Sequence, residues 1–256
     1  MNLTISLVQA DIVWENPEIN RLNIEELLWE ISSETDLIIL PELFSTAFSF
    51  SDQLSEPHNL HTFKWMKQMA SLKKACIIGS LLIKEKEKFY NRCYCVYPNG
   101  DYKTYDKRHL FSLSDEKEFC EAGVSQTYFE IKGWKIIPSI CYDLRFPVWL
   151  RNTQSYDLLI NIANWPSERK TAWQALLQAR SIENQCFSVG VNRVGTDQNQ
   201  LTYEGESSVY SPEGKQLIKL NKKQAIETFT LDKHLIEETR TKYPFLEDLD
   251  QFKIGI

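Results

Sequence analysis

The sequence predicts an α/β fold in which two β-sheets pack face to face and helices cover their outer faces. Three observations support this prediction. Apolar strand-like segments alternate with amphipathic helix-like segments from one end of the chain to the other. Each half of the chain repeats the order strand, helix, strand, hairpin. The strands are almost continuously apolar, which is typical of sheets that are covered on both faces.

The first half of the chain contains the first set of these elements. Asn16 followed by Pro17 indicates a helix start, because asparagine caps the first turn and proline is tolerated at the first helical position. We expect Leu22 in this helix and Leu72 in the next one to face the core. The predicted elements are a strand at 3–9, a helix from 16, a strand at 36–40, a helix at 61–74, a strand at 75–83 and a hairpin of 92–97 and 101–105.

The second half of the chain begins the same scheme again and then ends in a tail. The predicted elements are a strand at 135–140, a short helix at 147–152, a strand at 157–162, a helix at 168–184, a strand at 187–194 and a hairpin of 207–210 and 215–220. Residues 233–256 carry Tyr243, Phe245 and Phe252 in acidic, irregular surroundings. We expect this tail to dock on its own subunit or on a partner.

Composition sets limits on function and location. With 256 residues, 43% hydrophobic and 25% charged, the chain can form one large domain or two small ones. A net charge of −6 argues against a nucleic-acid partner. No stretch reaches the roughly 18 apolar residues of a membrane span, and the N-terminus lacks the basic start of a signal peptide. We therefore expect a cytoplasmic protein with reduced cysteines and no membrane partner.

The cysteines and histidines do not form a metal-binding pattern. The six cysteines contain no CxxC pair, and the four histidines have no recognisable ligand spacing. Cys93 and Cys95 are two residues apart, which places both on one face of a strand. We expect them to be buried as small hydrophobic side chains, and we expect no metal ion.

Three chemically active side chains stand where predicted strands end. Cys141 closes the apolar run 135–140 and is followed at once by polar residues. Glu42 follows the strand at 36–40, and Lys107 follows a hairpin strand. A structural cysteine would more often stand within a strand, among apolar neighbours. A thiol, a carboxylate and an ammonium at strand ends are the components of a cysteine-dependent amide hydrolase.

The motifs around these residues resemble those of the nitrilase, or carbon–nitrogen hydrolase, superfamily. The motifs are LPELF at 40–44, YDKRHLF at 105–111 and ICYDLRFP at 140–147. Further segments are similar to the bacterial omega-amidase branch, namely 164–166, 173–185, 190–195 and 243–246. The resemblance covers essentially the whole chain. It implies a single domain over 1–256 with a four-layer αββα sandwich of two mixed sheets, a homodimer, and neither a metal nor an organic cofactor.

The resemblance also implies roles for individual residues. Cys141 would be the nucleophile, and Glu42 the base that later protonates the departing ammonia. Lys107 and the backbone N–H of Tyr142 would hold the oxyanion of the tetrahedral intermediate. Glu116 would be a second glutamate that orients the lysine and the substrate. Two neighbouring acids compete with Glu116 for this role: Asp115 and Glu118.

Other side chains near the motifs have less specific predictions. For His109 we favour a structural role, with a ring nitrogen bonded to backbone, over a role as base. For Asp143 and Arg145 we favour pairing with each other or with glutamates across the sheet. Phe48 and Trp165 would be pocket walls, although core packing is an equal alternative. The residues expected to contact the substrate are Phe48, Tyr142, Arg145 and Trp165.

The function expected from this resemblance is hydrolysis of a small amide that carries a distant carboxylate. The substrates would be monoamides of 2-oxo dicarboxylic acids, such as 2-oxoglutaramate and 2-oxosuccinamate, which react with water through a thioester and release ammonia. An N-carbamoyl amine hydrolase or another small-molecule amidase or nitrilase would share the same catalytic residues. A non-catalytic binding protein on the same fold would be expected to lack one of them.

Overall fold

Two mixed β-sheets form the centre of the protein, and helices cover their outer faces, which is the predicted fold class. The structure is a computed structural model that describes residues 1–31 and 34–255. The elements of the first half are β1 (Asn2–Gln9), α1 (Pro17–Trp29), β2 (Leu37–Ile39), β3 (Glu56–Pro57), α2 (His61–Lys73), β4 (Cys76–Glu85), β5 (Lys88–Val96) and β6 (Tyr102–Asp106).

The second half supplies the strands of the other sheet, a small hairpin and the last strand of the first sheet. Its elements are α3 (Glu116–Phe119), β7 (Phe129–Ile131), β8 (Trp134–Ile140), β9 (Leu158–Ala163), α4 (Lys170–Asn184), β10 (Phe187–Asn192), β11 (Val194–Thr196), β12 (Thr202–Glu204), β13 (Ser208–Tyr210), β14 (Gln216–Lys219), β15 (Ala225–Asp232) and α5 (His234–Lys242).

Each large sheet has parallel strands at its centre and antiparallel strands at its edges. The first sheet has the order β15-β1-β2-β4-β5-β6, with β3 beside β4, and its strands β1, β2 and β4 are parallel. The second has the order β14-β13-β10-β9-β8-β7, with β8, β9 and β10 parallel. Strands β11 and β12 form a separate hairpin. The carboxyl ends of β2, β8 and β9 therefore each lead out of the parallel centre of a sheet.

The core consists of three apolar layers that the sequence pattern accounts for. Alternate residues of β1, such as Leu3 and Ile5, point between the two sheets and join the largest cluster of buried side chains. Helices α1 and α2 pack on the outer face of the first sheet, with Met66 and Met69 fully buried. Helix α4 covers the second sheet through Trp173 and Leu177. Cys93 and Cys95 are buried together on the inner face of β5.

Some predicted elements differ from the structure. The helix predicted at 147–152 is absent from this described segment. A 3₁₀ helix over Cys141–Arg145 comes first, and a single turn follows it. Pro147 begins this turn. The turn does not continue into a helix, and the chain runs through the fully buried Leu150 toward β9. Leu22 and Leu72 were expected to face the core, and both are more than half exposed because they lie on the solvent side of α1 and α2.

The C-terminal tail is more regular than its sequence indicates. Helix α5 forms within it and buries Ile236. After this helix the tail still contacts the rest of its own chain. The carbonyl of Tyr243 accepts a hydrogen bond from Gln185 Nε2 at 2.7 Å. Phe245 remains 60% exposed and stacks on Tyr243. Residue 256, the last of the predicted tail, lies outside the described residues. None of the helices in the described part of the chain has the length and apolar character that a membrane crossing requires.

Close packing of α4 on the second sheet depends on the absence of a side chain at Gly190. A Cβ atom at this position of β10 would lie 2.4 Å from Leu177 Cδ1 and 2.6 Å from Trp173 Cζ2. We expect Gly190→Ala to lower the free energy of unfolding by about 1–3 kcal/mol, as overpacking of a full core does. Urea denaturation measures this loss. Gly255→Ala is the control, because nothing lies within 4 Å of a Cβ there, and equal stabilities for both variants would contradict the prediction.

Candidate active site

A buried lysine lies between two buried glutamates at the edge where the sheets meet. Lys107 Nζ is 2.8 Å from Glu42 Oε1, 2.9 Å from Glu116 Oε1 and 2.8 Å from Glu116 Oε2. All three side chains are fully enclosed. Burial opposes the charge of the ammonium, but the carboxylates of Glu116 and Glu42 outweigh it and hold the pKa of Lys107 above its ordinary value. The lysine is therefore a fixed cation.

Two asparagines satisfy the remaining hydrogen-bonding capacity of these carboxylates. Asn91 Nδ2 donates to Glu42 Oε1 and to Glu116 Oε1, each at 2.9 Å. The backbone N–H of Asn164 donates to Glu42 Oε2 at 2.8 Å, and its Nδ2 donates to the Glu42 carbonyl at 2.7 Å. Glu42 is thus held by both sheets, because Asn91 belongs to β5 and Asn164 follows β9. Its carboxylate has a fixed orientation.

Both Glu42 and Cys141 stand at sharp turns directly after parallel strands. Leu43, the residue after Glu42, has φ of +42°, and its N–H donates to Ser80 Oγ at 2.8 Å. Cys141 has φ of +44° and begins the 3₁₀ helix after β8. A positive φ is uncommon for residues other than glycine and indicates a position that its surroundings constrain. The turn directs the thiol out of the second sheet.

The thiol of Cys141 lies close to this charged cluster, and its surroundings disfavour the thiolate. Its Sγ is 3.8 Å from the carbonyl oxygen of Asn164, to which it donates. Burial raises the pKa of the thiol, the carboxylate of Glu42 raises it further, and the Lys107 ammonium lowers it by less, so the pKa lies well above its ordinary value. A thiol in this state needs a base at the moment of attack.

A cavity of about 420 Å³ opens above Cys141. This volume is at the small end of ligand pockets. All four residues predicted to contact a substrate line it: Phe48, Tyr142, Arg145 and Trp165. Phe48 lies beside the Lys107 ammonium, 5.4 Å from ring centroid to Nζ. Trp165 is nearly buried, and its Nε1 donates to the carbonyl of Arg169 at 2.9 Å, so this wall is held in place.

His109 and Asp143 form a structural pair beside the cavity. His109 Nδ1 is 2.8 Å from Asp143 Oδ1, which also accepts from the His109 backbone N–H at 2.9 Å. The other oxygen of Asp143 accepts from Tyr105 Oη at 2.8 Å and from the Ile140 N–H at 3.0 Å. The expected bond from the His109 ring to backbone is wrong, because a buried carboxylate takes that place. This pair holds the turn that carries Cys141.

The structure separates the remaining charged candidates. Arg145 was expected to pair with Asp143 or a glutamate, and instead its guanidinium lies over the Trp165 ring, 4.9 Å from the centroid. Both oxygens of Asp143 are taken by other donors, from His109, Tyr105 and Ile140. Asp115 and Glu118 are exposed, whereas Glu116 is enclosed beside Lys107. Among these three acids, only Glu116 bonds to the lysine in the described structure.

Several residues of the site were missed by the sequence analysis. Asn91 stands within β5 and bridges two carboxylates. The sequence signal that could have identified it is an amide side chain in a largely apolar strand. Asn164 directly follows β9, so its place at a strand end gave the same signal as Glu42 and Cys141. Arg169, Phe111 and other cavity residues carried no signal, because they lie on turns far apart in sequence.

Within the described chain, no group of three or more histidine, cysteine, aspartate or glutamate side chains has an arrangement that could hold a metal ion. The charged groups that surround Cys141 come from the protein itself. A fixed ammonium can stabilise an oxyanion, and an adjacent carboxylate can take the proton of a thiol. The arrangement can therefore support attack of the thiol on an amide carbonyl.

Comparisons with known proteins agree with this chemistry. The sequence model described as carbon-nitrogen hydrolase matches residues 4–241. Omega-amidase YafV of Escherichia coli strain K12 is 39% identical over 253 residues, which cover 98% of each chain. The 2-oxoglutaramate amidase of Bacillus subtilis strain 168 is 33% identical over 255 residues, with 97% of this chain and 98% of that protein covered.

A solved structure is similar over its full length. It is a protein of Xanthomonas campestris, described as a CN-hydrolase superfamily protein with an arsenic adduct in the active site. It superposes with a TM-score of 0.96 at 38% sequence identity, and each chain is covered completely. The αββα arrangement of the present chain is therefore that of an experimentally determined relative.

The charge balance around Lys107 predicts a stability loss that depends on pH. In Lys107→Met the carboxylates of Glu42 and Glu116 lose their buried cation, which should cost about 3–5 kcal/mol of unfolding free energy at pH 8. Burial already raises the pKa of Glu116 above its ordinary value. A folded-state pKa above the unfolded one means that the folded protein binds protons more tightly, so stability falls as pH rises. The loss should be smaller at pH 5.

Urea denaturation of wild type and variant at pH 5 and pH 8 measures this difference. Lys103→Met is the matched control, because Lys103 is an exposed lysine on β6, the strand that leads to Lys107. A loss for Lys107→Met that is the same at both pH values, or no larger than that of the control, would show that the ammonium does not balance the two carboxylates.

Proposed function

The chain belongs to the carbon–nitrogen hydrolase family, and from this premise we propose that it releases ammonia from the omega-amide of small 2-oxo dicarboxylic acid monoamides. It is an enzyme that hydrolyses carbon–nitrogen bonds other than peptide bonds. The relatives named omega-amidase and 2-oxoglutaramate amidase support the substrate class, since they align over nearly the whole chain. The observation that carries the proposal is the Cys141 thiol beside the bonded pair of Glu42 and Lys107, in the lining of a small cavity.

In the first half of the proposed reaction, Cys141 Sγ attacks the amide carbon and its proton passes to Glu42. The carbonyl π electrons move onto the oxygen, and the resulting oxyanion is stabilised by the Lys107 ammonium and the backbone N–H of Tyr142. When the tetrahedral intermediate collapses, the carbon–nitrogen bond breaks and Glu42 returns the proton to the leaving nitrogen. The products of this half are ammonia and a thioester on Cys141.

In the second half, water replaces the thiol on the acyl group. Glu42 accepts a proton from water as its oxygen attacks the thioester carbon, and the same two donors stabilise the second oxyanion. Collapse breaks the carbon–sulfur bond and the proton returns to Cys141, so one amide and one water give one acid and one ammonia. Glu116 acts as a positioning residue in this scheme, because it bonds to Lys107 twice and reaches the reacting atoms through it.

The residues around the cavity suit a small acid with an apolar middle. Phe48 and Trp165 would contact the carbon chain of the substrate, and Tyr142 lies between Phe111 and Phe146 in edge-on contacts that hold its ring. Arg145 would contact the polar acid end of the substrate, because its guanidinium lines the cavity. A 2-amino acid amide such as glutamine would bring an ammonium into the cavity. The cavity offers this charge few partners, so its burial would be costly.

We also propose that the enzyme is a homodimer in the cytoplasm. The dimer is supported by apolar side chains that remain exposed on the tail, with Phe245 60% and Phe252 41% exposed. The cytoplasmic location is supported by the six cysteines, which are all unpaired with one another. Sedimentation equilibrium distinguishes a dimer from a monomer, and cell fractionation tests the location.

The role of Cys141 predicts a complete loss of turnover without a loss of fold. We expect Cys141→Ala to release no ammonia from 2-oxoglutaramate, because alanine cannot form the thioester, while its urea denaturation stays close to that of wild type. Rapid quenching of wild type with substrate should reveal a mass increase on the peptide that contains Cys141. Cys186→Ala is the control, since this cysteine lies in the core. Normal turnover in Cys141→Ala would reject the mechanism.

The substrate class predicts a strong preference for a 2-oxo acid. We expect kcat/KM for 2-oxoglutaramate to exceed that for glutamine by roughly 100-fold or more, since an unpaired charge or polar group is costly to bury. Ammonia release from 2-oxoglutaramate, 2-oxosuccinamate, glutamine, an N-carbamoyl amine and a nitrile measures the preference. Comparable rates on glutamine and 2-oxoglutaramate would reject the omega-amidase assignment and leave the thioester mechanism in place.

A further inference from the structure

Two arginines differ from the others in how their charge is satisfied. In the described parts of the chain, 1–31 and 34–255, the guanidinium groups of Arg145 and Arg169 donate no hydrogen bond and form no ion pair, and both line the cavity. Every other arginine donates from its guanidinium to an oxygen of the protein: Arg21, Arg92, Arg108, Arg151, Arg180, Arg193 and Arg240. The two unmatched guanidinium groups therefore share one cavity.

The backbone of Arg169 is held in place, although its guanidinium pairs with no acid in the described part of the chain. It ends a 3₁₀ turn that leads into α4, and its N–H donates to the carbonyl of Pro166 at 3.0 Å. Its own carbonyl accepts from Trp165 Nε1 at 2.9 Å. The side chain is half-buried and its guanidinium lies 5.4 Å from the centroid of Phe111, a ring between β6 and α3. Packing against an aromatic face leaves the donor edge of a guanidinium available to a ligand.

The acids of the cavity do not pair with these arginines within the described residues. Asp197 is nearly buried, and its two oxygens accept from the Leu201 N–H at 3.0 Å and from Tyr203 Oη at 2.9 Å. Asp115 is exposed, and no ion pair joins it to either arginine within the described residues. The guanidinium groups of Arg145 and Arg169 thus remain available to pair with an anionic ligand that enters the cavity.

We propose that Arg169 is the specificity-determining residue that binds the substrate carboxylate, while Arg145 meets the neighbouring 2-oxo oxygen. This inference rests on the proposed function and adds the residue that recognises the acid end. A guanidinium presents parallel N–H groups that match the two oxygens of a carboxylate. The 2-oxo oxygen is a further acceptor, so a 2-oxo acid offers acceptors to both arginines.

The same arrangement accounts for rejection of a 2-amino acid. An ammonium at the second carbon has no lone pair to accept a bond from Arg145, and it carries the same sign of charge as both guanidinium groups. Repulsion of like charges in a half-buried cavity is stronger than in water. The two arginines therefore favour binding of the 2-oxo acid and oppose binding of the 2-amino acid.

The test compares substrates with and without the acid end. We expect Arg169→Met to lower kcat/KM for 2-oxoglutaramate by roughly 10- to 100-fold, the effect of losing a charge-assisted contact. The value for pentanamide, which lacks both the carboxylate and the oxo group, should not change. Arg169→Lys should give an intermediate loss, because it keeps the charge without the parallel donors. Lys170→Met is the control, since Lys170 is exposed and pairs with Glu204.

Calorimetric binding of 2-oxopentanoate, which has the acid end but no amide, separates this inference from the proposed function. Tight binding to wild type that weakens in Arg169→Met supports the role of Arg169 even if 2-oxoglutaramate proves a poor substrate. Equal binding to both proteins, an equal loss on pentanamide, or an equal loss in Lys170→Met would overturn it.

Discussion

The ammonium of Lys107 between the carboxylates of Glu42 and Glu116 is the interaction on which the site depends. Three ionised groups are removed from water, and such burial is tolerated only where hydrogen bonds are nearly complete. Each carboxylate accepts from the lysine and from Asn91. The two negative charges exceed the one positive charge, so the cluster resists a further anion. The pKa of the Cys141 thiol is raised mainly by its burial, and the Glu42 carboxylate raises it further.

The fold supplies this cluster by joining the edges of two sheets. Glu42 follows a strand of the first sheet, whereas Cys141 and Asn164 follow strands of the second. The bond from the Asn164 N–H to Glu42 Oε2, at 2.8 Å, therefore crosses between the sheets. The apolar layer between the sheets sets their spacing, and the spacing sets the distance from Glu42 to Cys141. The packing of the core therefore also fixes the geometry of the candidate site.

The fold class, and the residues that lie together in the candidate site, could be predicted because both leave local signals. Strands covered on two faces are apolar throughout, and a polar residue that ends such a strand is conspicuous, as with Glu42 and Cys141. The tertiary partners could not be predicted in this way. Whether His109 bonds to backbone or to Asp143 depends on how β6 approaches the turn after β8. Arg169, at the start of a helix, looks like any solvated arginine until Phe111 is placed beside it.

The distribution of charge favours one orientation of a substrate in the cavity. Behind its floor at Cys141 lies the buried cluster of two carboxylates and one ammonium, and its walls hold two arginines that pair with no group in the described part of the chain. An acid that carries a distant amide is repelled by the floor and attracted by the walls. This charge pattern supports the proposal that the substrate carboxylate stays beside Arg169 and that the neutral amide is the end that reaches Cys141. In this proposal, the charges of Glu42, Lys107 and Glu116 stabilise the buried cluster. The same charges help to select which end of the substrate reacts.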